Sequence, residues 1–308
     1  MNQLELEFYD LGPVWHLCTP GEHQCVIFRT SEEYVYGMNL IALAAIHFRE
    51  KVNIFTFQIM SNHFHFVLAC EECILKEFYD FIYKKLHRFL AGHNRSSDIK
   101  GLSCSYFYID TLRYLQTVIA YVNRNGYLID SNSTPFSYEW GACNYFFNPL
   151  IECVSTEPLS KIGKKRMREA FKSRSFQLTK EYDFLTQRGY VSPASFCAIS
   201  LAEGLYQDPR HYFHLISRQV ESYTQIAKEL GDSVIYTDSE IYSAIIGLSL
   251  KQYNVKNLTQ LGKNEKLELA KLMHYNYNAS NKQIKRVLKL DESILAQLFP
   301  QGPQKSKK

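Results

Sequence analysis

Apolar and polar positions alternate in some stretches of this chain and recur every three or four residues in others. Residues 14–19 (VWHLCT) and 24–29 (QCVIFR) are short β-prone runs parted by Thr19-Pro20-Gly21, a turn signal. From residue 31, SEEYVYGMNLIALAAIHFRE predicts a helix with Ser31 as N-cap and acids in its first turn. KVNIFTFQI and HFHFVLAC flank the break Met60-Ser61-Asn62 and predict an antiparallel hairpin. Residues 74–91 carry apolar side chains at helical spacing, 92–100 read as a loop, and 105–109 (SYFYI) as a strand. Residues 111–125 predict a further helix, ended by Gly126 at its C′ position. The order strand, strand, helix, two strands, helix, strand, helix suits an α+β domain ending near residue 150: a small antiparallel sheet with helices on one side.

Beyond about residue 155 the strand signals fade and the text becomes mostly helical. The division this predicts is a first domain over 1–155, a basic helical connector over 156–235, a helical region over 236–302 and a basic tail over 303–308. Within 264–299, Ser280 is an expected N-cap to NKQIKRVLKL and Asp291 to ESILAQLF, a spacing that resembles a helix-turn-helix. Its second helix offers only Ser293 and Gln297 for base edges, so a bundle that merely packs is the competing expectation. No internal repeat is visible.

Composition changes this picture little. The 308 residues are 46% hydrophobic and 14% aromatic, ample for a sizeable core. A formal charge of +4 permits a nucleic-acid partner without demanding one. Charge is concentrated in 161–174 (KIGKKRMREAFKSR), where Lys161, Lys164, Lys165, Arg166, Arg168, Lys172 and Arg174 stand against one acid. That run is a candidate phosphate-binding surface, the plainer expectation being a solvated helix face. Eight scattered cysteines suit buried small side chains of a reducing cytoplasm rather than a disulfide framework. No signal peptide and no run of about 20 apolar residues is present, so no membrane span is expected. Cys70-Glu-Glu-Cys73 lacks a convincing second pair for a structural zinc, Cys18 and Cys25 being poorly spaced, and His211 and His214 beside Asp208 have no further support as ligands.

Two segments carry chemistry. In His63-Phe64-His65-Phe66-Val67-Leu68 the period of two puts both imidazoles on one face of a strand and the apolar side chains on the other. Neutral imidazole suits Mn²⁺ and Zn²⁺, while Mg²⁺ is tolerated. On a helical wheel of TLRYLQTVIAYVNRNG, Leu112, Leu115, Val118, Ile119 and Val122 form the buried stripe. Tyr114, Thr117 and Asn125 fall within about 40° of Tyr121, so phenol and amide share the border of the buried face, one turn apart.

IMSNHFHFVL (59–68) resembles the Met-x-Asn-His-x-His signature of HUH single-strand nucleases, and most of all the REP-associated tyrosine transposases, the single-tyrosine, insertion-sequence-200-like transposases of bacteria. IAYVNRNG (119–126) resembles that family's Tyr-Ile-x-x-Asn-Pro segment, with Gly126 in place of the proline. SYEWGACNYFF (137–147) is similar to its Tyr-x-Trp-Ser-Ser stretch, whereas CTPGEH departs from its Arg-rich first strand. Over roughly residues 10–150 the resemblance implies a ferredoxin-like HUH nuclease domain. Tyr121 is then the nucleophile, and His63, His65 and Asn125 hold a divalent ion, Mg²⁺ or Mn²⁺. The implied substrate is a single-stranded DNA hairpin with a flanking guide sequence, cut and rejoined through a 5′-phosphotyrosine by a monomer or homodimer. No P-loop is present, so no nucleotide cofactor is expected. The competing expectations are a nucleic-acid-binding regulator that keeps the fold without cutting, a zinc hydrolase built on H-x-H, and a replication initiator or relaxase.

Overall fold

The computed structural model describes residues 3–20, 25–127, 138–150, 156–172, 183–185, 188–216, 238–277 and 279–299. These fall into two compact units, one whose described residues end at Ile216 and one whose described residues run over 238–299.

The first unit is built on a four-stranded antiparallel sheet of β1 (Val14–Cys18), β2 (Asn53–Ile59), β3 (Phe64–Ala69) and β4 (Ser105–Ile109), in the order β2-β3-β1-β4. Helix α2 (Ser31–His47) connects β1 to β2 and α3 (Glu72–Ala91) connects β3 to β4. Apolar side chains on β3 face α3: the Phe66 ring lies 5.4 Å from Phe78, and Phe64 lies 6.4 Å from Tyr79. The expectation of helices on one side holds for this pair alone. Helix α4 (Leu112–Tyr127) crosses the opposite face, where its Tyr121 ring lies 6.0 Å from that of His65.

Several local expectations are corrected. Residues 25–30 form no strand. Their hydrogen-bonding demand is met elsewhere: the Ile27 and Phe28 amides both donate to the Ser61 carbonyl, and Arg95 Nη2 donates to the carbonyls of Val26 and Ile27. Arg95 is itself held by Glu33 and Asp98. The N-cap of α2 is Thr30, whose hydroxyl accepts from the Glu33 amide, and not Ser31. Helix α4 runs through Gly126 instead of stopping there. A helix at the N-terminal end, α1 (Gln3–Asp10), had no counterpart in the sequence reading and packs against α4.

Residues 138–142 lie along the outer edge of β2. The Ile59 amide donates to the Trp140 carbonyl, the Ala142 amide to Phe57, and the Tyr138 hydroxyl to the Ile59 carbonyl at 2.5 Å. Only glycine fits at 141, because a β-carbon there would stand 2.6 Å from the Phe57 carbonyl oxygen.

Residues 156–216 were read as part of a basic helical connector, yet those among them that the structure describes belong to this unit. Short strands β5 (Glu157–Pro158), β6 (Asp183–Leu185) and β7 (Tyr190–Val191) make a second sheet, accompanied by α5 (Lys164–Phe171), α6 (Ile199–Gly204) and α7 (Pro209–Ile216). Leu159, Ile162, Phe171 and Val191 bury against Ala42 and Leu43 of α2. Buried Asn39 secures the join, accepting from the Val191 amide and donating to the carbonyls of Gly189 and Ala170. An apolar face on α2 thus takes a second layer that the fading strand signals did not reveal.

The second unit is all-helical among its described residues: α8 (Asp238–Tyr253), α9 (Lys263–Asn276), α10 (Asn281–Leu288) and α11 (Glu292–Leu298). Both expected caps are present. Ser280 and Gln283 form a reciprocal capping box, and Asp291 accepts from the Ser293 amide. Residues 300–308, which include the expected basic tail, lie outside the described residues.

Candidate functional site

Alternation along β1 and β3 brings four rings together on the α4 side of the sheet. His65 on β3 stands directly opposite Cys18 on β1, and His16, two residues earlier, shares that face. The His16 and His65 rings stack nearly parallel at 5.4 Å, with His16 Nε2 3.2 Å from His65 Nδ1. His63 meets His65 edge to face at 5.0 Å. From α4, Tyr121 stands edge-on to both members of the stack, 6.4 Å from His16 and 6.0 Å from His65.

The histidine nitrogens are not equivalent. His63 Nδ1 lies 2.8 Å from Asn62 Oδ1, so it donates there, which fixes the tautomer with its proton on Nδ1. Between His16 Nε2 and His65 Nδ1 one nitrogen donates and the other accepts, which orients the His65 ring. His63 and His65 therefore fit a divalent ion in donor type and preparation. Both are buried, as are His16 and Cys18. His16, Cys18 and His65 form a second potential set, with one ligand atom from each and all three within 4.8 Å of one another. The sequence reading missed this group, although the signal was present: W-H-L-C repeats on β1 the polar-every-second-residue pattern noticed in H-F-H.

Tyr121 and Asn125 were expected at the border of the buried face. Instead Tyr121 is 1% exposed and Asn125 9%, within an unbroken buried run over 118–125. A stripe on the helical wheel shows only the sheet side of α4; α7 and the turn Cys143–Tyr145 also pack on this helix, which the wheel cannot show. The expected apolar positions Leu115, Val118, Ile119 and Val122 are all buried, while Leu112 is half-buried.

Polar groups fasten this helix. Asn123 Oδ1 accepts from the Thr56 hydroxyl on β2 at 2.5 Å, and its Nδ2 donates to the Tyr212 hydroxyl on α7 at 2.8 Å. Gln116 Nε2 donates to the Leu205 carbonyl, and the Tyr206 hydroxyl donates to the Gln116 carbonyl. Asn125 lies one turn beyond Tyr121 on α4.

The other candidates divide. Lys161, Lys164, Lys165, Arg166, Arg168 and Lys172 are all exposed on and around α5, Arg166 pairing with Glu157 at 3.1 Å. Arg174 lies outside the described residues. Asp208 caps α7 by accepting from the His211 amide, which accounts for the Asp208–His211 spacing without a metal. The Cys70 thiol is pushed up to about 12, by burial first and then by neighbouring Cys73 and Glu71, which disfavours the thiolate that a metal would need.

No family model, curated protein or solved structure matches this chain. No helix among the described residues is long and apolar enough to cross a membrane.

Proposed function

We propose that the chain cleaves and rejoins single-stranded DNA, with Tyr121 as the nucleophile. The observation that carries this is the convergence of Tyr121, on a helix, with His63 and His65, on a strand, at one place. A β-α-β-β-α-β unit with sheet order β2-β3-β1-β4 has the connectivity of a ferredoxin-like fold, which supports an HUH nuclease domain. His63 and His65, with Asn125 one turn past Tyr121, would hold Mg²⁺ or Mn²⁺, and such an ion supplies charge stabilisation at the non-bridging oxygens of a scissile phosphate.

The residues themselves do the rest. The Tyr121 oxygen bonds to phosphorus as the P–O3′ bond breaks, leaving a 5′-phosphotyrosine and a strand with a free 3′-hydroxyl. The phenol must lose its proton and the departing O3′ must take one up from water; with His65 committed to the ion, His16, whose ring Tyr121 meets edge-on, is the imidazole base proposed to accept the phenol's proton. Because the ester bond energy is retained, a DNA 3′-hydroxyl reverses the step on a new strand, which is transposition chemistry on a hairpin substrate. Exposed basic residues around α5 suit the phosphates of that substrate. The protein acts as monomer or homodimer, as the resemblance implies, and its scattered cysteines suit the cytoplasm.

One observation favours a second reading. Tyr121 is buried, so its oxygen reaches a phosphate only when the packing around it opens. A regulator that binds nucleic acid on this fold without cutting needs no such opening. One experiment separates the two: labelled hairpin oligonucleotides are mixed with the protein and Mg²⁺ or Mn²⁺, and denaturing gels are examined for a covalent adduct. Wild type is expected to give the adduct and Tyr121→Phe to lose it. Binding without any adduct supports the regulator, and an adduct that survives Tyr121→Phe removes Tyr121 from the nucleophile's role.

A further inference from the structure

We propose that His16, Cys18 and His65 are a metal centre in their own right, built for a thiolate-preferring ion such as Zn²⁺ rather than for Mg²⁺ or Mn²⁺. The inference stands on the β1–β3 register and does not depend on DNA cleavage.

The spacing suits a tetrahedral ion. Zn–N bonds of about 2.05 Å and Zn–S bonds of about 2.3 Å at tetrahedral angles separate two nitrogens by about 3.3 Å and a nitrogen from a sulfur by about 3.6 Å. His16 Nε2 and His65 Nδ1 are already 3.2 Å apart, and no pair in the three-atom set exceeds 4.8 Å. Shifting the proton they share to the far nitrogen of its own ring and turning the two in-plane lone pairs toward a common point is therefore a local adjustment. The backbone that sets it is rigid: two ligands sit at alternate positions of one strand, and the third lies directly across on its neighbour.

Donor chemistry selects the ion. Two imidazoles and a sulfur are a borderline-to-soft set, whereas Mg²⁺ requires oxygen ligands and keeps much of its water. His16 and His65 are fully buried and Cys18 is 4% exposed, so a strongly hydrated ion would be stripped there without compensation. A thiolate cancels one of the two charges that Zn²⁺ would bring into this interior. Cys18 is not in a disulfide. Three protein ligands leave a fourth position, as in open zinc sites rather than closed structural ones.

His65 is common to this set and to the His63–His65 pair. Occupation of the inner site commits the ring, so Zn²⁺ there opposes binding of an ion by His63 and His65 together.

Binding can be read without DNA. Cobalt(II), a spectroscopic stand-in for zinc, is titrated into the full-length metal-free protein under reducing, anaerobic conditions. The wild type is expected to show visible bands of tetrahedral cobalt and a near-ultraviolet thiolate-to-cobalt band, both abolished by excess Zn²⁺. Cys18→Ser, nearly isosteric and checked for folding by circular dichroism, should lose the thiolate band. It should also weaken Zn²⁺ binding by more than the roughly 100-fold that an outer partner of a ligand costs. His63→Ala should keep the band. Persistence of the band in Cys18→Ser, its loss in His63→Ala, or wild type showing neither band nor a Zn²⁺-induced rise in melting temperature each overturns the proposal. A band present in a protein that never forms a DNA adduct upholds this centre and leaves the nuclease assignment to fail alone.

Discussion

At the scale of single residues, the site is a matter of which faces alternate side chains occupy. His63 and His65 were legible because H-F-H is conspicuous in an apolar strand, and Tyr121 because it stands one turn before an amide. His16 and Cys18 were not, since their relation to His65 depends on the β1–β3 register, which a single strand's sequence does not contain. Asn123 was equally hidden: its value lies in partners 67 and 89 residues away. Asn123→Ala should cost about 1–3 kcal/mol in urea denaturation, because it leaves two buried hydroxyls without that partner. A loss below a few tenths would mean the bonds contribute nothing.

Buried acids make a pH prediction at the same scale. Burial raises Cys143 and Cys70 from 9.0 to about 12, and Tyr145 from 10.0 to about 12. Each is held protonated by the fold, so its contribution is fully present below its ordinary pKa. It declines above that value, as the unfolded chain gives up its proton first, and is gone once pH passes the folded value. The urea midpoint should therefore hold steady to about pH 8.5 and fall toward pH 11. A midpoint unchanged over that interval contradicts the buried, protonated state.

At the scale of elements, periodicity reads regular structure and misreads segments whose partners are irregular. Strands β1 to β4 and helices α2 to α4 follow from alternation and from three- and four-residue spacing. Residues 25–30 look like a strand by composition, yet their amides and carbonyls go to Ser61 and Arg95, so no ladder forms. Residues 138–142 pass in sequence for a loop but lie against β2 so closely that Gly141 has no room for a side chain. Gly141→Ala should force this segment off β2 and lower the thermal midpoint by several degrees; an unchanged midpoint would show the approach to be loose. The caps at Ser280 and Asp291 were legible because they are local, whereas the α2 cap falls on Thr30 in place of Ser31; Ser280→Ala should cost about 1 kcal/mol by losing its bond to the Gln283 amide.

At the scale of the whole molecule, two compact units divide after Ile216, where the end of the first domain was expected near residue 155. Fading strand signals marked the end of the four-stranded sheet but not the end of the unit, because Leu159, Ile162, Phe171 and Val191 form a core with α2 that is non-local in sequence. Leu288, 1% exposed on α10, belongs to the other unit. Leu288→Ala should destabilise that unit by about 2–5 kcal/mol while leaving cobalt binding at His16, Cys18 and His65 unchanged. Loss of both together would mean that the two units unfold as one.

The most direct test of the central claim is to digest the covalent complex formed with a hairpin oligonucleotide and sequence the modified peptide by tandem mass spectrometry. The account predicts a nucleotide 5′-phosphate on Tyr121, in the peptide bounded by Arg113 and Arg124. Attachment at any other residue, or an unmodified Tyr121 after complete DNA cleavage, would contradict it.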